Sequence, residues 1–222
     1  MSKKIIDLTM PIEEGMQTFP VYWHPFVEIT QLGRHGIENR ETRKLVLGTH
    51  TGTHVDAPKH FIPNGLSIDE ISLDLLIGTA RAIDLSSFGP EQEVSKKGLM
   101  NCVDEKLPKR ILLRFDWDKF LGKSEYYSRC PFLSKQAAEW LVDMGCTLVG
   151  MDTPMPDNPK NSKGTSNDSP IHKILLGNNI VLAEYLVNIK LLGDQEFNLI
   201  VAPLKIKSAD GSPARIFGVI NN

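Results

Sequence analysis

The chain contains six histidines, His24, His35, His50, His54, His60 and His172. Three of them fall inside one eleven-residue run, His50-Thr-Gly-Thr-His54-Val-Asp56-Ala-Pro58-Lys-His60, with Asp56 between them. Imidazole nitrogens with a carboxylate form a donor set that suits zinc, manganese or iron(II), and we take zinc first. A divalent ion held by imidazoles and one aspartate keeps excess positive charge. It lowers the pKa of a bound water toward about 7 and polarises a carbonyl, which is the chemistry of hydrolysis. Breaking a C–N bond also requires a group that hands a proton to the leaving nitrogen, and imidazole titrates in the right range. The run holds one histidine more than a first ion needs, so His60 is read as the proton shuttle.

Spacing constrains this reading. His50, His54, Asp56 and His60 all occupy even positions, so an extended chain would point them to one face. At the rise of a strand, however, His50 and His54 would stand ~13 Å apart, too far to share an ion. The chain must turn between them, and Gly52 permits that turn. Pro58 bars a regular helix through the segment. Thr51 and Thr53 offer hydroxyls for local bonds to backbone or to the ligand carboxylates. The result expected is a compact, kinked loop.

Two carboxylates elsewhere stand out. Glu184 closes the apolar run Ile180-Val-Leu-Ala-Glu184, where an unpaired buried charge would cost several kcal/mol. Metal ligation removes that cost; an exposed edge position or a lysine partner is the alternative. Asp152 follows Thr147–Met151 and is read as ordering a loop or orienting a ligand from outside. Near the N-terminus Phe19, Tyr22, Trp23 and Phe26 are interrupted by Pro20 and Pro25, which makes the segment a loop. Such a loop caps an apolar pocket and stacks on a planar ligand, or forms a subunit contact. Phe19 and Trp23 are the substrate-contact candidates.

The elements that must position these groups are mostly strands. Short runs bounded by Gly, Pro, Asp or Asn are expected as strands at Ile5–Leu8, Val27–Thr30, Lys44–Leu47, Thr79–Asp84, Arg110–Arg114, Thr147–Met151, Ile180–Glu184, Asn198–Ala202 and Arg215–Ile220. Several are almost wholly apolar and should be covered on both faces. Three helices are expected. One is Lys135–Met144, with Ser134 as N-cap and Gly145 as stop. Another lies at Ile68–Ile71, and a third runs from Asp168-Ser169-Pro170, with His172 on it, to Gly177-Asn178. Met155–Ser169, rich in Pro, Asn, Ser, Lys and Gly, is expected as a long surface loop of the kind that often serves as a lid. Many strands and few helices imply an α/β (α+β) fold, a mixed sheet or barrel-like core in one domain over 1–222.

Composition narrows the function classes. Of 222 residues 41% are hydrophobic and 23% charged, with a net charge of -2 and interspersed signs, so no basic patch invites nucleic acid. No apolar stretch approaches the ~20 residues that span a bilayer. Two lysines precede the pair Ile5-Ile6, but Asp7 ends that run too soon for a signal-peptide core. Cys102, Cys130 and Cys146 are odd in number and lack CxxC spacing, which suits reduced thiols in the cytoplasm.

The main run resembles the signature His-x-Gly-Thr-His-x-Asp-x-Pro-x-His of the cyclase family, which includes bacterial kynurenine formamidase. The opening Ile6-Asp-Leu-Thr-Met-Pro-Ile, Gly15-Met16, Phe19-Pro20, Gly150-Met-Asp152-Thr-Pro154 and His172-Lys-Ile-Leu-Leu-Gly177 resemble the same family. The resemblance implies a swivelling β/β/α domain and a homodimer or homotetramer. It also implies two ions per subunit, with His50 and His54 on the first, His172 on the second, and Asp56 and Glu184 bridging both. His60 would be the general acid/base, and Phe19 would contact substrate. One departure is clear. Where relatives often continue Phe19-Pro20 with Gly-Asp, this chain has Val21-Tyr22-Trp23-His24-Pro25, so the substrate-facing loop is remodelled.

The activity expected is hydrolysis of a small amide, formamide or cyclic amide. Cyclisation or elimination on a polyketide-like or hydroxy-acid substrate would use the same ion. A non-catalytic metal-binding protein would instead close the ion's coordination with protein groups alone.

Overall fold

The computed structural model describes residues 3–103, 106–161 and 163–221. Its strands are β1 (Lys3–Asp7), β2 (Glu28–Gly33), β3 (Thr42–Val46), β4 (His54–Asp56), β5 (Ile77–Asp84), β6 (Glu93–Val94), β7 (Arg110–Arg114), β8 (Phe132–Leu133), β9 (Leu148–Met151), β10 (Val181–Glu184), β11 (Phe197–Pro203) and β12 (Gly211–Asn221). The helices are α1 (Leu73–Leu76), α2 (Lys96–Met100), α3 (Ser124–Ser128), α4 (Lys135–Asp143) and α5 (Pro170–Gly177).

The main sheet runs β1-β12-β11-β5-β7-β9-β10-β4, and β4 pairs back onto β12. That extra pairing closes a barrel-like ring from β4 round to β12, with β1 lying along the outer edge of β12. β5, β7, β9 and β10 are mutually parallel, while β4, β11 and β12 join antiparallel. The mixed, barrel-like architecture with few helices is the one expected from the pattern of apolar runs.

Strand alternation divides the core in two. Leu112, Leu148, Val181 and Ala183 face the barrel interior with Val55, Leu199, Val201 and Ile216. Ile111, Leu113, Val149, Met151 and Leu182 face outward under Ala137, Ala138 and Leu141 of α4 and Ile171, Leu175 and Leu176 of α5. Parallel strands covered on both faces need apolar residues at nearly every position, which is why these runs carry little polar alternation. α4 is capped as expected, with Ser134 Oγ accepting from the Ala137 N–H at 3.1 Å.

Several elements differ from expectation. The helix expected at Ile68–Ile71 is a single 3-10 turn, Ile68–Glu70, with α1 following it. α2, α3 and the strands β4, β6 and β8 were not anticipated, since each has five residues or fewer. Met155–Ser169 does not lie wholly on the surface: Met155 and Asp157 at its start are buried. β2 and β3 form a hairpin outside the main sheet. No helix among the described residues is long and apolar enough to cross a membrane.

Candidate functional site

Register places the first residues of the site. β10 lies antiparallel to β4, with Glu184 opposite His54, Ala183 opposite Val55 and Leu182 opposite Asp56. Residues directly opposite share a face. Val55 and Ala183 fill the barrel interior, so His54, Asp56 and Glu184 project from its outer surface. There α5 brings His172 against them. The shortest strand of the ring therefore carries two of the site residues, and its partner carries a third.

The turn demanded by spacing is present. Gly52 has φ +60, a left-handed conformation that an L side chain adopts only at a cost, and it reverses the chain so that the His50 and His54 rings come within 5.0 Å. Beyond β4, Pro58–His60 forms one 3-10 turn, for which the fixed φ of Pro58 at its first position is suited. One of the two threonines bonds locally, as expected, and the other does not. Thr51 Oγ1 accepts from the nearby Gly48 N–H, but Thr53 works at long range. Its Oγ1 accepts from Met10 N–H and donates to the Tyr185 carbonyl at 2.7 Å. Tyr185 follows Glu184 with φ 57, strained for a tyrosine, and the Thr53 hydroxyl helps to hold it there.

Each imidazole is fixed by its outer nitrogen. His54 Nδ1–H donates to the Gly52 carbonyl at 2.7 Å, His172 Nδ1–H to Asp157 at 2.5 Å, and His50 Nε2–H to Asp210 at 2.8 Å. These partners only accept, so each outer nitrogen carries a hydrogen, and the inner nitrogens point at Asp56 and Glu184. His50 Nδ1 is 2.7 Å and His54 Nε2 3.1 Å from Asp56 Oδ1. His54 Nε2 is 3.6 Å from Glu184 Oε2, and His172 Nε2 lies 3.2 Å from Glu184 Oε1 and 3.5 Å from Asp56 Oδ2. The five residues assigned to metal in the sequence thus converge in space.

Asp157 does two jobs. It also accepts from the backbone N–H groups of Ile171 and His172 at the start of α5, so one carboxylate caps that helix and orients the imidazole it carries. Asp152 orders a loop, accepting from the backbone of Phe115 and Trp117, and touches none of the histidines. Burial pushes its carboxyl up to about 8 despite those bonds.

The residues fit a divalent ion. Asp56 Oδ2 and Glu184 Oε1 are buried without an aligned hydrogen bond among the described residues, a costly state for carboxylates unless a cation meets them. His54, Asp56 and Glu184 offer ligand atoms within 4.8 Å of one another, and His50, Asp56 and His60 do likewise. Electrostatics show the same demand for positive charge. Burial alone would lower the His50 imidazole, but Asp56 and Asp210 outweigh it and hold it up at about 10. His172 is buried too, and Asp157, Asp56 and Glu184 raise it well above its ordinary value. Burial works against ionised Asp56, yet His50 and His60 hold it well below the usual carboxylate range. A divalent ion would meet the same demand.

A cleft of about 260 Å³ opens above these groups. Phe19, Val21, Trp23 and Phe61 supply its apolar walls, and Lys163, Asp168 and Ser169 border it from the long loop. Phe19 packs edge-on against Tyr127, whereas Trp23 sits at the lip, 56% exposed. His60 stacks on His50 with ring centroids 3.9 Å apart and lines the same cleft. Three neighbours of the cluster went unnoticed in the sequence. Asp157 and Asp210 lie in Pro-Asp-Asn-Pro and Ala-Asp-Gly contexts that read as turns. His24 lines the cleft from the remodelled loop, where burial and then the charge of His50 lower its pKa to about 4.

The family model "Cyclase" matches residues 6–158. Curated relatives include kynurenine formamidase of Bacillus mycoides (strain KBAB4), 32% identical over 95% of this chain and 94% of that protein. That of Bacillus anthracis is 30% identical over 96% of each chain. Among solved structures, an isatin hydrolase bound to the product analogue thioisatinate superposes with a TM-score of 0.86 at 23% identity, covering 99% of this chain and 93% of the other. A predicted metal-dependent hydrolase from Bacillus stearothermophilus gives 0.77 at 25% identity, covering 99% of each chain.

Proposed function

Because the chain belongs to the cyclase family, we propose that it is a metal-dependent hydrolase that opens the C–N bond of a small formamide, aryl amide or cyclic amide. The observation that carries this reading is the pair of buried carboxylate oxygens on Asp56 and Glu184 that lack an aligned hydrogen bond among the described residues, ringed by inward-facing imidazole nitrogens. His50, His54, Asp56, His172 and Glu184 would hold the metal, with zinc the first choice, manganese or iron(II) the others, and two ions per subunit. The metal, when bound, supplies a Lewis acid that activates water and draws charge from the carbonyl.

The protein's own groups account for the rest. Gly52, Asp157 and Asp210 fix the imidazoles before substrate arrives, so little reorganisation is needed in the reaction. His60 Nε2 passes a proton to the leaving nitrogen, since its Nδ1 is engaged by Asp210 at 3.1 Å. Phe19 and Trp23 receive the planar part of the substrate.

We extend the proposal to a homodimer or homotetramer. Tyr22, Phe26, Leu32, Ile37 and Leu45 are exposed on the aromatic loop and the β2–β3 hairpin, apolar area that a partner subunit would cover. Cytoplasmic residence is in keeping with three free cysteines. The test is elemental analysis of purified protein, together with turnover of N-formyl aryl amines and isatin-like lactams before and after chelation. Chelator-sensitive hydrolysis, with solvent ¹⁸O appearing in the acid product, is expected. Turnover that survives full metal removal, or a product free of solvent oxygen, would overturn the reading.

A further inference from the structure

Asp210 stands just before β12, 160 positions from His50 and 150 from His60 in sequence, yet its side chain reaches both rings. A single oxygen, Oδ2, meets His50 Nε2 at 2.8 Å and His60 Nδ1 at 3.1 Å. A carboxylate oxygen has more than one lone pair and can accept from both N–H groups at once. Its position is prepared by backbone. The Ala57 N–H donates to the Asp210 carbonyl at 2.9 Å, tying the segment to the end of β4. Gly211 then lets the chain pass close beneath the site: a Cβ there would stand 2.7 Å from the Val55 carbonyl and 2.9 Å from His50 Cε1.

The geometry points to Asp210 as the positioning residue that sets a metal-ligand imidazole and the proton shuttle in register through one shared oxygen. By taking the Nε2–H of His50 it aims Nδ1, the nitrogen 2.7 Å from Asp56, at the place an ion would take. By taking the Nδ1–H of His60 it fixes that ring's tautomer and turns Nε2 into the acid/base nitrogen. The two rings are stacked 3.9 Å apart and tilted by 33°, so a common anchor also fixes their mutual angle. The inference about His60 rests on its role as shuttle proposed above; the inference about His50 rests on the ligand assignment alone.

The test uses the full chain with Asp210→Ala and Asp210→Asn. The backbone bond from Ala57 does not involve the side chain, so both variants keep the segment's anchor. Three readouts are expected to move. Zinc affinity, measured by competition with a chromogenic chelator, should fall roughly 10–100-fold in Asp210→Ala, the size usual for loss of an outer partner of a ligand histidine. In the metal-free protein, ¹⁵N chemical shifts should show His60 moving from one tautomer to a mixture. Turnover of the metal-saturated enzyme should fall by a similar factor with KM nearly unchanged. Asp210→Asn, which keeps an acceptor without the charge, should lie between. In the metal-saturated enzyme, adding Asp210→Ala to His60→Ala should lower kcat much less than Asp210→Ala does alone, because one of the two rings the anchor acts through is already lost. The inference is overturned if zinc affinity and the His60 tautomer both stay as in the parent. It is also overturned if Asp210→Ala lowers kcat as much without His60 as with it. The affinity and tautomer measurements need no substrate, so failure of the amide-hydrolase reading would leave them standing.

Discussion

The floor and the lip of the cleft are built on opposite terms. On the floor, His54, Asp56, His172 and Glu184 are buried, sit on β4, β10 and α5, and are braced by Gly52 or Asp157 or by one another. At the lip, Tyr22 and Phe26 are 94% and 81% exposed, Trp23 meets Tyr22 edge-on, and Pro20 and Pro25 keep the segment out of any sheet. A floor held by register and outer hydrogen bonds fixes the chemistry to within fractions of an ångström. A lip that packs on little can change its residues without disturbing the fold. The comparison teaches that reaction type and substrate choice reside in separable parts of the chain.

Four substitutions or titrations would break that contrast or sharpen it. The largest effect is expected from Glu184→Gln, which keeps the shape of the side chain but removes the charge opposite His54. Dialysed protein should lose its metal and all measurable hydrolysis; a variant that retains a full complement of metal would show that the floor is not the site. His60→Ala should lower kcat by roughly 10²–10⁴-fold, the range for general acid–base groups, while elemental analysis finds the metal nearly unchanged.

The third concerns pH. His50 is held at about 10 in the metal-free protein, above its ordinary 6.5, so its contribution to stability is complete below 6.5 and is lost as pH rises through 10. Asp56, held low, contributes above the ordinary carboxylate range and loses that contribution in acid. Between 6.5 and 10 an entering ion must displace at least the His50 proton. Affinity should therefore rise about tenfold per pH unit over that window, with proton release detectable by calorimetry in buffers of differing ionisation enthalpy. The smallest effect belongs to the lip. Trp23→Ala should raise KM about 2–10-fold for planar aromatic substrates, the worth of one aromatic contact, and leave kcat and metal content alone.

The same division governs what could be read from residues alone. β7, β9 and β10 declared themselves because strands covered on both faces must be apolar at almost every position. Glu184 declared itself by violating that rule. The dense histidine run, with Gly52 inside it, demands a turn by its spacing alone. β4 stayed hidden: three residues, His-Val-Asp, give no periodicity, and only pairing with β10 and β12 makes them a strand. Asp157 and Asp210 stayed hidden for a related reason. Each sits among Pro, Asn, Ser or Gly, where an aspartate ordinarily bonds its own turn, and the histidine it orients lies 15 residues away for Asp157 and 160 for Asp210. Local patterns register local partners, and these partners are supplied by topology.

One consequence concerns the seam of the barrel. The ring is sealed where β4, only three residues long, lies between β10 and β12, a stretch with few ladder bonds to resist opening. An ion gripped by His54 and Asp56 on one side of the seam and Glu184 on the other would act as a clasp across it. Occupancy would then add to folding free energy by mass action, about 2.7 kcal/mol at a free ion concentration one hundred times its dissociation constant. A chelator would be a structural reagent as well as an inhibitor. Heating scans at graded ion concentrations, with backbone exchange followed at Val55, would show whether the barrel comes undone at its clasp first.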